Sequence, residues 1–559
     1  MKKIIILLLI LSQCFFLFSQ PKPFKIIFAQ NTQQVEIYDF IEITFNVKKP
    51  VSTNPFTDVV VKGEFSDPAG EKIQVDGFCD SQDGSLYKVR FMPSIPGDYT
   101  YSVIFKSGDK EEQSTGSFKA VMSTRKGVVR IDKNYPFHFI WEGTGEHFFW
   151  NGTTTYLLLG WHDESTIFQI IDRLSSLKVN YLRVAISARS KSGDVWGESL
   201  VHPTDKFTFT LNPWLSKITQ AADKPETDVT RFNLDFWQHC EKAVAYARSK
   251  NIIISIIFYV DGYREGVDPF GIENSGNNDE KRYYQYTASR LSAYSNIMWD
   301  ISNEYFSFRT DEWVEKMGTF LKECDPYDHL TSVHGWEYFR FRTSKWADLA
   351  LYQRWDGEGG NLFMLNQREI QTGTGKLMPQ VNEEYGYEGH YPSIGGGVVP
   401  PGRSAENRTR LALSMYMAGC YQTTGERADE GTGAGNDKGG GWINGRGDSS
   451  MIMLNMYSYI VDIFNSLEYW KMEPKNELVN LGSLCLAEKG KQYLAYGSSY
   501  SWIKNLEVKI ENGTYSVVAF NFLNGEKKIL PDVTGTLFIY ELGPLKNDWV
   551  FVLKKKNDK

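Results

Sequence analysis

Hydrophobic and polar positions alternate early in the chain. Ile41, Ile43, Phe45 and Val47 are separated by Glu42, Thr44 and Asn46, the period of a strand with one buried face. Tyr87, Val89 and Phe91 repeat the pattern, as do Tyr99, Tyr101, Val103 and Phe105. Asp67-Pro-Ala-Gly70 and Pro96-Gly-Asp98 supply turns. Short alternating strands with regular turns predict an immunoglobulin-like β-sandwich over residues 20–122. The period then changes. The apolar run Thr155 to Gly160 leads to a helix with Ile167, Ile170, Ile171, Leu174 and Leu177 on one face. Asn180 to Ala185 and Ile252 to Val260 predict strands, the second a β-branched run suited to burial on both faces. Further strands are expected at Ile297 to Ser302, Leu330 to His334, Leu349 to Gln353, Leu377 to Val381 and Tyr421 to Thr424. Helices are expected at Phe236 to Lys250, Lys281 to Ala293 and Asp311 to Lys322, and from near Ser404 and Ser450. Eight strand-then-helix alternations predict a (β/α)8 TIM barrel over residues 123–470. A small β-sandwich is expected over residues 471–559, where Leu506, Val508 and Ile510 alternate and Asn512-Gly513 and Asn524-Gly525 signal hairpins. The fold class is therefore multidomain, with two β domains flanking a barrel.

Composition narrows the function. The 559 residues carry 61 Lys+Arg and 68 Asp+Glu, a formal charge of −7, which argues against a phosphate-backbone binder; no nucleic-acid partner is expected. Aromatic residues make up 14%, and flat rings with polar edges suit stacking on sugars as well as packing in cores. Lys2 and Lys3 precede an apolar run and a small Ser19, so residues 1–19 read as a cleavable signal peptide. No later stretch is long enough to span a membrane, and a secreted or periplasmic location, with cell-surface association open, follows. Past Cys14, the cysteines Cys79, Cys240, Cys324, Cys420 and Cys485 are scattered, which excludes a dense disulfide framework while leaving one bridge open.

In barrels of this type the reactive groups sit where strands end. The fourth strand ends Trp299-Asp-Ile-Ser-Asn-Glu304, and the seventh reads Pro379-Gln-Val-Asn-Glu-Glu-Tyr-Gly386. Two carboxyls on opposed strand tips meet the needs of glycosidic cleavage: one protonates the leaving oxygen while the other attacks the anomeric carbon or activates a water. Arg183, His162, Asp261, His334, Trp336, Arg354 and Trp355 occupy comparable tips and together predict a polar, aromatic cleft. The long connection from Ser187 to Arg231 carries Trp196 and Trp214, each suited to stacking on a sugar or plugging a core.

These motifs resemble the clan A retaining glycoside hydrolases. The resemblance makes Glu304 the general acid/base and the seventh-strand glutamate the nucleophile. The clan's spacing, a proline five residues before the nucleophile and an aromatic-Gly after it, lands on Glu384-Tyr385-Gly386. Strand alternation sets Glu383 and Glu384 facing opposite ways, which also bears on the choice. Asn303 would bond the sugar 2-hydroxyl, and Arg183 matches the clan's arginine and could pin the nucleophile, or be structural. The segment Phe137 to Tyr156 is similar to the apiosidase-like barrel group of Bacteroidota. Val75-Asp-Gly-Phe78 and Tyr87 to Pro93 are similar to the immunoglobulin-like domain of unknown function that precedes such barrels. Asn547 to Leu553 resembles a small domain labelled collagen-binding in related chains. One departure is visible: the eighth strand ends in Gly425-Glu-Arg427 and a Gly-rich loop, where the clan commonly has a Trp.

The expectation is a retaining glycoside hydrolase acting on plant or algal polysaccharide or its oligosaccharides, with carboxyls about 5–5.5 Å apart. No cofactor or metal is expected: there is no H-E-x-x-H and the 8 His are dispersed. No G-x-S-x-G points to a serine esterase, and the Gly425 to Gly447 stretch lacks the order of a phosphate loop. Asp429, Glu430 and Asp437 in that stretch could hold calcium, although a lid is the simpler reading. The rival readings are a non-catalytic carbohydrate-binding protein on the same scaffold and an adhesion protein working through its end domains.

Overall fold

The computed structural model describes residues 25–50, 52–188, 201, 204–218, 225–264, 266–389, 403–428, 440–497, 503–543 and 548–556. The signal segment, Trp196, Asp429, Glu430 and Asp437 lie outside the described residues.

The N-terminal region is two antiparallel-rich sheets face to face. One has four strands in the order Lys25–Gln30, Ile41–Lys48, Leu86–Phe91, Phe78–Cys79; the other has five, Gln34–Glu36, Lys110–Val121, Gly97–Ser107, Val59–Ser66, Lys72–Asp76. The alternation along Ile41–Lys48 is reproduced as strict burial of Ile41, Ile43, Phe45 and Val47. Phe65 of one sheet stacks on Phe91 of the other with ring centroids 4.1 Å apart, so aromatic faces fill the gap between layers.

Eight parallel strands form the central barrel. In chain order they are Gly152–Thr154, Tyr181–Ala185, Ile253–Ile257, Ile297–Asp300, Thr331–Ser332, Ala350–Tyr352, Gln380–Asn382 and Tyr421–Thr424. They are paired in the ring order 5-4-3-2-1-8-7-6, and a parallel bridge between His334 and Leu351 joins fifth to sixth. All five residues of Ile253–Ile257 are buried, as their unbroken apolar run demands of a strand covered on both faces. Capping side chains start the outer helices: Asp163 accepts from Thr166 N, Thr310 from Trp313 N, and Ser404 from Asn407 N.

The structure differs from the sequence pattern in three places. The first strand is Gly152–Thr154, and the apolar run after it is a loop with the 3-10 turn Leu158–Gly160; its residues are buried by the chain folding over them, which apolarity alone does not distinguish from a strand. No helix lies between the fifth and sixth strands, where turns carry the chain from Val333 to Leu349. Asn512-Gly513 is no turn: Asn505–Asn521 runs through it as one strand with a register shift, a bulge in place of a hairpin.

A three-stranded sheet, Val129–Ile131, Phe139–Trp141 and His147–Phe148, closes the barrel floor. Phe139 packs on Trp150 and on Tyr421, the first residue of the eighth strand, and His138 Nδ1 lies 2.7 Å from the Tyr421 hydroxyl. The C-terminal strands form a six-stranded antiparallel sheet in the order Glu473–Pro474, Leu484–Glu488, Gln492–Tyr496, Trp549–Lys555, Asn505–Asn521, Lys527–Glu541. It docks on the barrel helices through Arg410 and Asp548 at 2.7 Å and Arg368 and Glu473 at 2.6 Å.

The sandwich is bolted to the barrel by a buried ionic cluster. Arg90 of the sandwich bonds Glu42 at 2.9 Å and also pairs with Glu241 of a barrel helix. Arg290, fully buried, reaches back to Asp80 of the sandwich at 2.7 Å and to Glu241 at 2.8 Å. The connection after the second strand serves the same bracket: the Asn54 side chain donates to Thr230 Oγ1 at 2.9 Å and that of Gln82 to the Phe232 carbonyl at 2.7 Å. Trp214 lies in this connection and is a core plug, packed on Phe270 and Tyr283 and not offered to a ligand. All five described cysteines are free. Among the described residues no helix is long and apolar enough to cross a membrane.

Candidate active site

The mouth of the barrel gathers residues from nearly every strand tip. Glu304 follows the fourth strand at φ 46°, in the left-handed region. Asp261, beyond the third strand, has φ 58°. Two side-chain-bearing residues in this region at one mouth are backbone strain that the surrounding packing must hold, and such strain concentrates at functional sites.

Glu383 and Glu384 do not face opposite ways. The seventh strand ends at Asn382, and the next two amides both donate to the Tyr352 carbonyl, at 2.8 Å from Glu383 and 3.3 Å from Glu384. Two donors on one acceptor break the alternation, so both carboxyls turn toward Arg183. Glu383 goes deeper: it is fully buried, accepts from the Tyr181 hydroxyl at 2.6 Å, and lies 3.3 Å from Arg183 Nε and 3.1 Å from His334 Nδ1. Glu384 is the more accessible of the two, at 6% exposed. Its Oε2 accepts from the Tyr156 hydroxyl at 2.9 Å and lies 3.4 Å from Arg183 Nη1, while Oε1 accepts from Gln353 Nε2 at 3.2 Å.

Arg183 is the hub. Beyond the two glutamates it donates to Asn303 Oδ1 at 2.7 Å and to the Tyr156 hydroxyl at 2.9 Å. With Asn303 Oδ1 taken by Arg183, the Tyr156 hydrogen goes to Glu384, and the amide nitrogen of Asn303 remains a donor for something outside the cluster. Tyr387 in turn donates to the Tyr156 hydroxyl at 3.1 Å and stacks on Trp442 with centroids 4.5 Å apart. Trp442 comes from the helical turn Gly441–Asn444 beyond the eighth strand. Trp442 is itself buried, at 3% exposed.

The electrostatics separate the carboxyls. Burial, and then the charge of Glu384, push Glu304 up to about 7, against a lowering by a Gln353 hydrogen bond. Burial also lifts Asp261 to about 6, with Arg264 opposing from 3.1 Å. Asp300, at the end of the fourth strand, is raised to about 8 by burial and by Glu383. Glu383 moves the other way: burial opposes its charge, but Arg183, His334 and Tyr181 hold it below the usual carboxylate range. Of this buried pair, Asp300 is the carboxyl whose charge the surroundings oppose and Glu383 the one whose charge they favour.

Of the residues expected from sequence, Glu304, Glu384, Asn303, Arg183, Asp261 and His334 form one cluster. Trp336 stands exposed at its rim, edge-on to Phe306 with centroids 5.2 Å apart. Trp355 is half-buried under the Arg403 guanidinium, 4.9 Å from the ring. Arg354 is committed to an ion pair with Glu337. His162 is apart from the carboxyls: its Nδ1 lies 2.8 Å from the Asp205 carbonyl, and it lines a side cavity with Asp163, Lys206 and Arg446. Sequence reasoning passed over Gln353, Tyr387, Asp300 and the role of Glu383. Each lies at or just beyond a strand end and could have been weighed as a tip residue, but nothing in sequence spacing shows which tips converge. No group of three or more His, Cys, Asp or Glu among the described residues is arranged to hold a metal ion.

Residues 137–419 match the family model described as apiosidase-like, catalytic domain. The chain belongs to the apiosidase-like family. In this apiosidase-like protein residues 34–106 also match the domain of unknown function DUF5060. No curated protein matches the chain. Among solved structures, a Bacteroides vulgatus protein assigned to the glycoside hydrolases superposes with a TM-score of 0.75 at 21% identity, covering 94% of this chain and 100% of its own. A family 5 glycoside hydrolase from the same species gives 0.57 at 15% identity, over 77% of this chain and 93% of its own. Identities this low speak to the fold, and the scaffold is glycoside hydrolase-like.

Proposed function

We propose that this apiosidase-like protein is an exported retaining glycoside hydrolase acting on plant or algal polysaccharide or the oligosaccharides derived from it. Glu304 is the acid/base and Glu384 the nucleophile. One observation carries the reading: at a single barrel mouth, one carboxyl is lifted to about 7 while its neighbour is bracketed by the donors Tyr156, Arg183 and Gln353. In the first step Glu384 bonds to the anomeric carbon as Glu304 gives its proton to the departing oxygen. The glycosyl ester removes the Glu384 charge that lifts Glu304, so Glu304 is now the stronger acid and its carboxylate accepts a proton from the attacking water. Water bonds to the anomeric carbon, the ester breaks, and both glutamates return to their first states.

Asn303, oriented by Arg183, presents its amide to the sugar 2-hydroxyl, where the bond strengthens in the transition state. Asp261 and the Trp336–Phe306 edge supply polar and stacking contacts around the ring. Residues 1–19 direct export, residues 20–122 and 471–559 brace the barrel of residues 123–470, and the chemistry needs no cofactor.

The test is reducing-end release from a panel of plant and algal polysaccharides and oligosaccharides, with wild type beside Glu304→Gln and Glu384→Gln. Turnover lost in both variants supports the reading and names the substrate class. Turnover indifferent to both places the chemistry elsewhere. Glycan affinity with no turnover in wild type favours a binding protein.

A further inference from the structure

A second cavity opens between the connections that follow the first and eighth barrel strands. Its volume is about 720 Å³, within the range of small-ligand sites. Its walls are fixed by local contacts. The His162 N–H donates to the Lys206 carbonyl at 2.8 Å, and the His162 ring donates from Nδ1 to the Asp205 carbonyl at 2.8 Å. On the eighth-strand side Gly445 has φ 80°, and a Cβ there would lie 3.0 Å from Ile170 and 3.1 Å from Thr155. A Cβ on Gly447 would lie 2.3 Å from the Arg173 guanidinium. The two glycines thus let this loop lie directly against the helix Glu164–Ser176, with Arg446 between them. Arg446 is set over the Trp161 ring at 5.6 Å, and its carbonyl accepts from the Gly440 and Gly441 amides, both at 2.9 Å.

The lining is polar and its charges balance. Asp163 commits its carboxylate to its own helix, accepting from Ser165 Oγ at 2.6 Å and Thr166 N at 2.8 Å. Arg173 is matched by Glu426 through bonds of 2.7 and 2.8 Å. The remaining cations, Lys206 and Arg446, are offset by Asp163 and Asp205. An ion gains little from such a cavity. It offers donors on Lys206, Arg446 and Gln169 beside acceptors on Gln169, Asp205 and Nε2 of the neutral His162 ring. The hydroxyls of a sugar need that mixture, since each of them both gives and takes hydrogen bonds.

We propose that this side cavity is a second carbohydrate subsite, holding a neutral sugar unit of the glycan that is cleaved at the carboxyl cluster. This rests on the glycoside hydrolase reading above. The turn Gly441–Asn444 borders both places. Its Trp442 stacks on Tyr387, which bonds the Tyr156 hydroxyl beside Glu384. Its Asn444 carbonyl accepts from Trp161 Nε1 at 3.0 Å, and Arg446 covers that same indole.

The test is calorimetric binding of neutral di- to hexasaccharides of galactose, arabinose, xylose and mannose. The protein is full-length Glu384→Gln, which prevents turnover, alone and with Gln169→Trp or Lys206→Ala added. Both positions are exposed, so the fold should survive. Gln169→Trp fills the cavity and should weaken the best-bound oligosaccharide at least about tenfold; Lys206→Ala removes one donor and should weaken it roughly 3–10-fold. With Glu384 restored, KM for that oligosaccharide should rise by the same factors while kcat stays within about twofold, because the cavity is away from the reacting bond.

Affinity unchanged in both variants overturns the proposal, as does the absence of binding by every neutral oligosaccharide. Cavity-dependent binding of galacturonate oligosaccharides or sulfated galactan in preference to the neutral set also overturns it, assigning the site to an anion. If Gln169→Trp fails to fold, Lys206→Ala decides by the same comparison. Hydrolysis indifferent to Glu304→Gln and Glu384→Gln sinks the two-glutamate reading instead, and the binding comparison still decides the subsite.

Discussion

Arg183 and Glu383 face each other at 3.3 Å with neither side chain exposed to solvent. The guanidinium that steadies the proposed nucleophile is thus itself neutralised from below. Removing either member strands the other charge in a buried place, which costs about 3–5 kcal/mol. Glu383→Gln and Arg183→Met should each lower the unfolding free energy by that order. Equilibrium unfolding in urea checks it, and a loss under about 1 kcal/mol in both would mean the pair is not the anchor described.

Asp300 should behave in the opposite manner. It holds its proton up to about 8 in the folded protein, whereas an unfolded aspartate releases it near about 3.9. Between those values the folded state binds the extra proton, so this group lowers stability as pH rises. Asp300→Asn, neutral throughout, escapes that decline. The melting temperature of the variant relative to wild type should therefore climb from pH 4 to pH 8. A difference that stays flat across the window would show that Asp300 is ionised in the fold.

Glu304 sets the alkaline limb of activity. As the acid of the first step it must be protonated, so kcat/KM should fall as pH rises through about 7, tenfold per unit. Asp261 contributes to the lift of Glu304 by like charge. Asp261→Asn should therefore move the limb to lower pH. A limb that moves up, or not at all, would place Asp261 too far away to matter.

Tyr156 is the hinge between the cation and the nucleophile. Tyr156→Phe removes the donor to Glu384 and the acceptor of Arg183 and Tyr387 in one change. We expect kcat to drop about 10–100-fold with KM little altered, since the bond acts on the reacting carboxyl. Trp336→Ala should do the reverse, raising KM for an oligosaccharide several-fold while leaving stability within about 0.5 kcal/mol, because the ring is 52% exposed. Initial-rate kinetics on the two variants separate the roles.

The sandwich should not be separable from the barrel without loss. Arg290→Met leaves Asp80 and Glu241 facing each other without their shared cation. A destabilisation of about 3–5 kcal/mol is expected, with the sandwich and barrel melting apart by calorimetry. A single unshifted transition would show that the contact is dispensable.

Much of the architecture is legible in the chain because periodicity and burial are the same fact at two scales. The strict alternation at Ile41 to Val47 can only bury one face, and the β-branched run at Ile252 to Val260 can only be covered on two. The tips carrying Glu304 and Glu384 could be read because the strands before them could be counted. The failures have local causes. Thr155 to Gly160 is apolar because the chain folds over it. Asn512-Gly513 has turn chemistry, but its neighbours on both sides pair with one long strand, and a bulge absorbs the bend.

The sequence by itself determined the two β regions, the barrel between them and the strand ends on which the carboxyls sit. Only the tertiary structure decided which of those ends meet and what charge each group bears. Alternation predicts that Glu383 and Glu384 part; the Tyr352 carbonyl, taking both amides, brings them to the same arginine. Gln353 and Asp300 carry no signal of their own, since an amide or an acid at a strand end is ordinary until its neighbours are known. A proton's affinity depends on burial and on charges a few ångströms away, and those distances are set by ring closure between residues far apart in the chain.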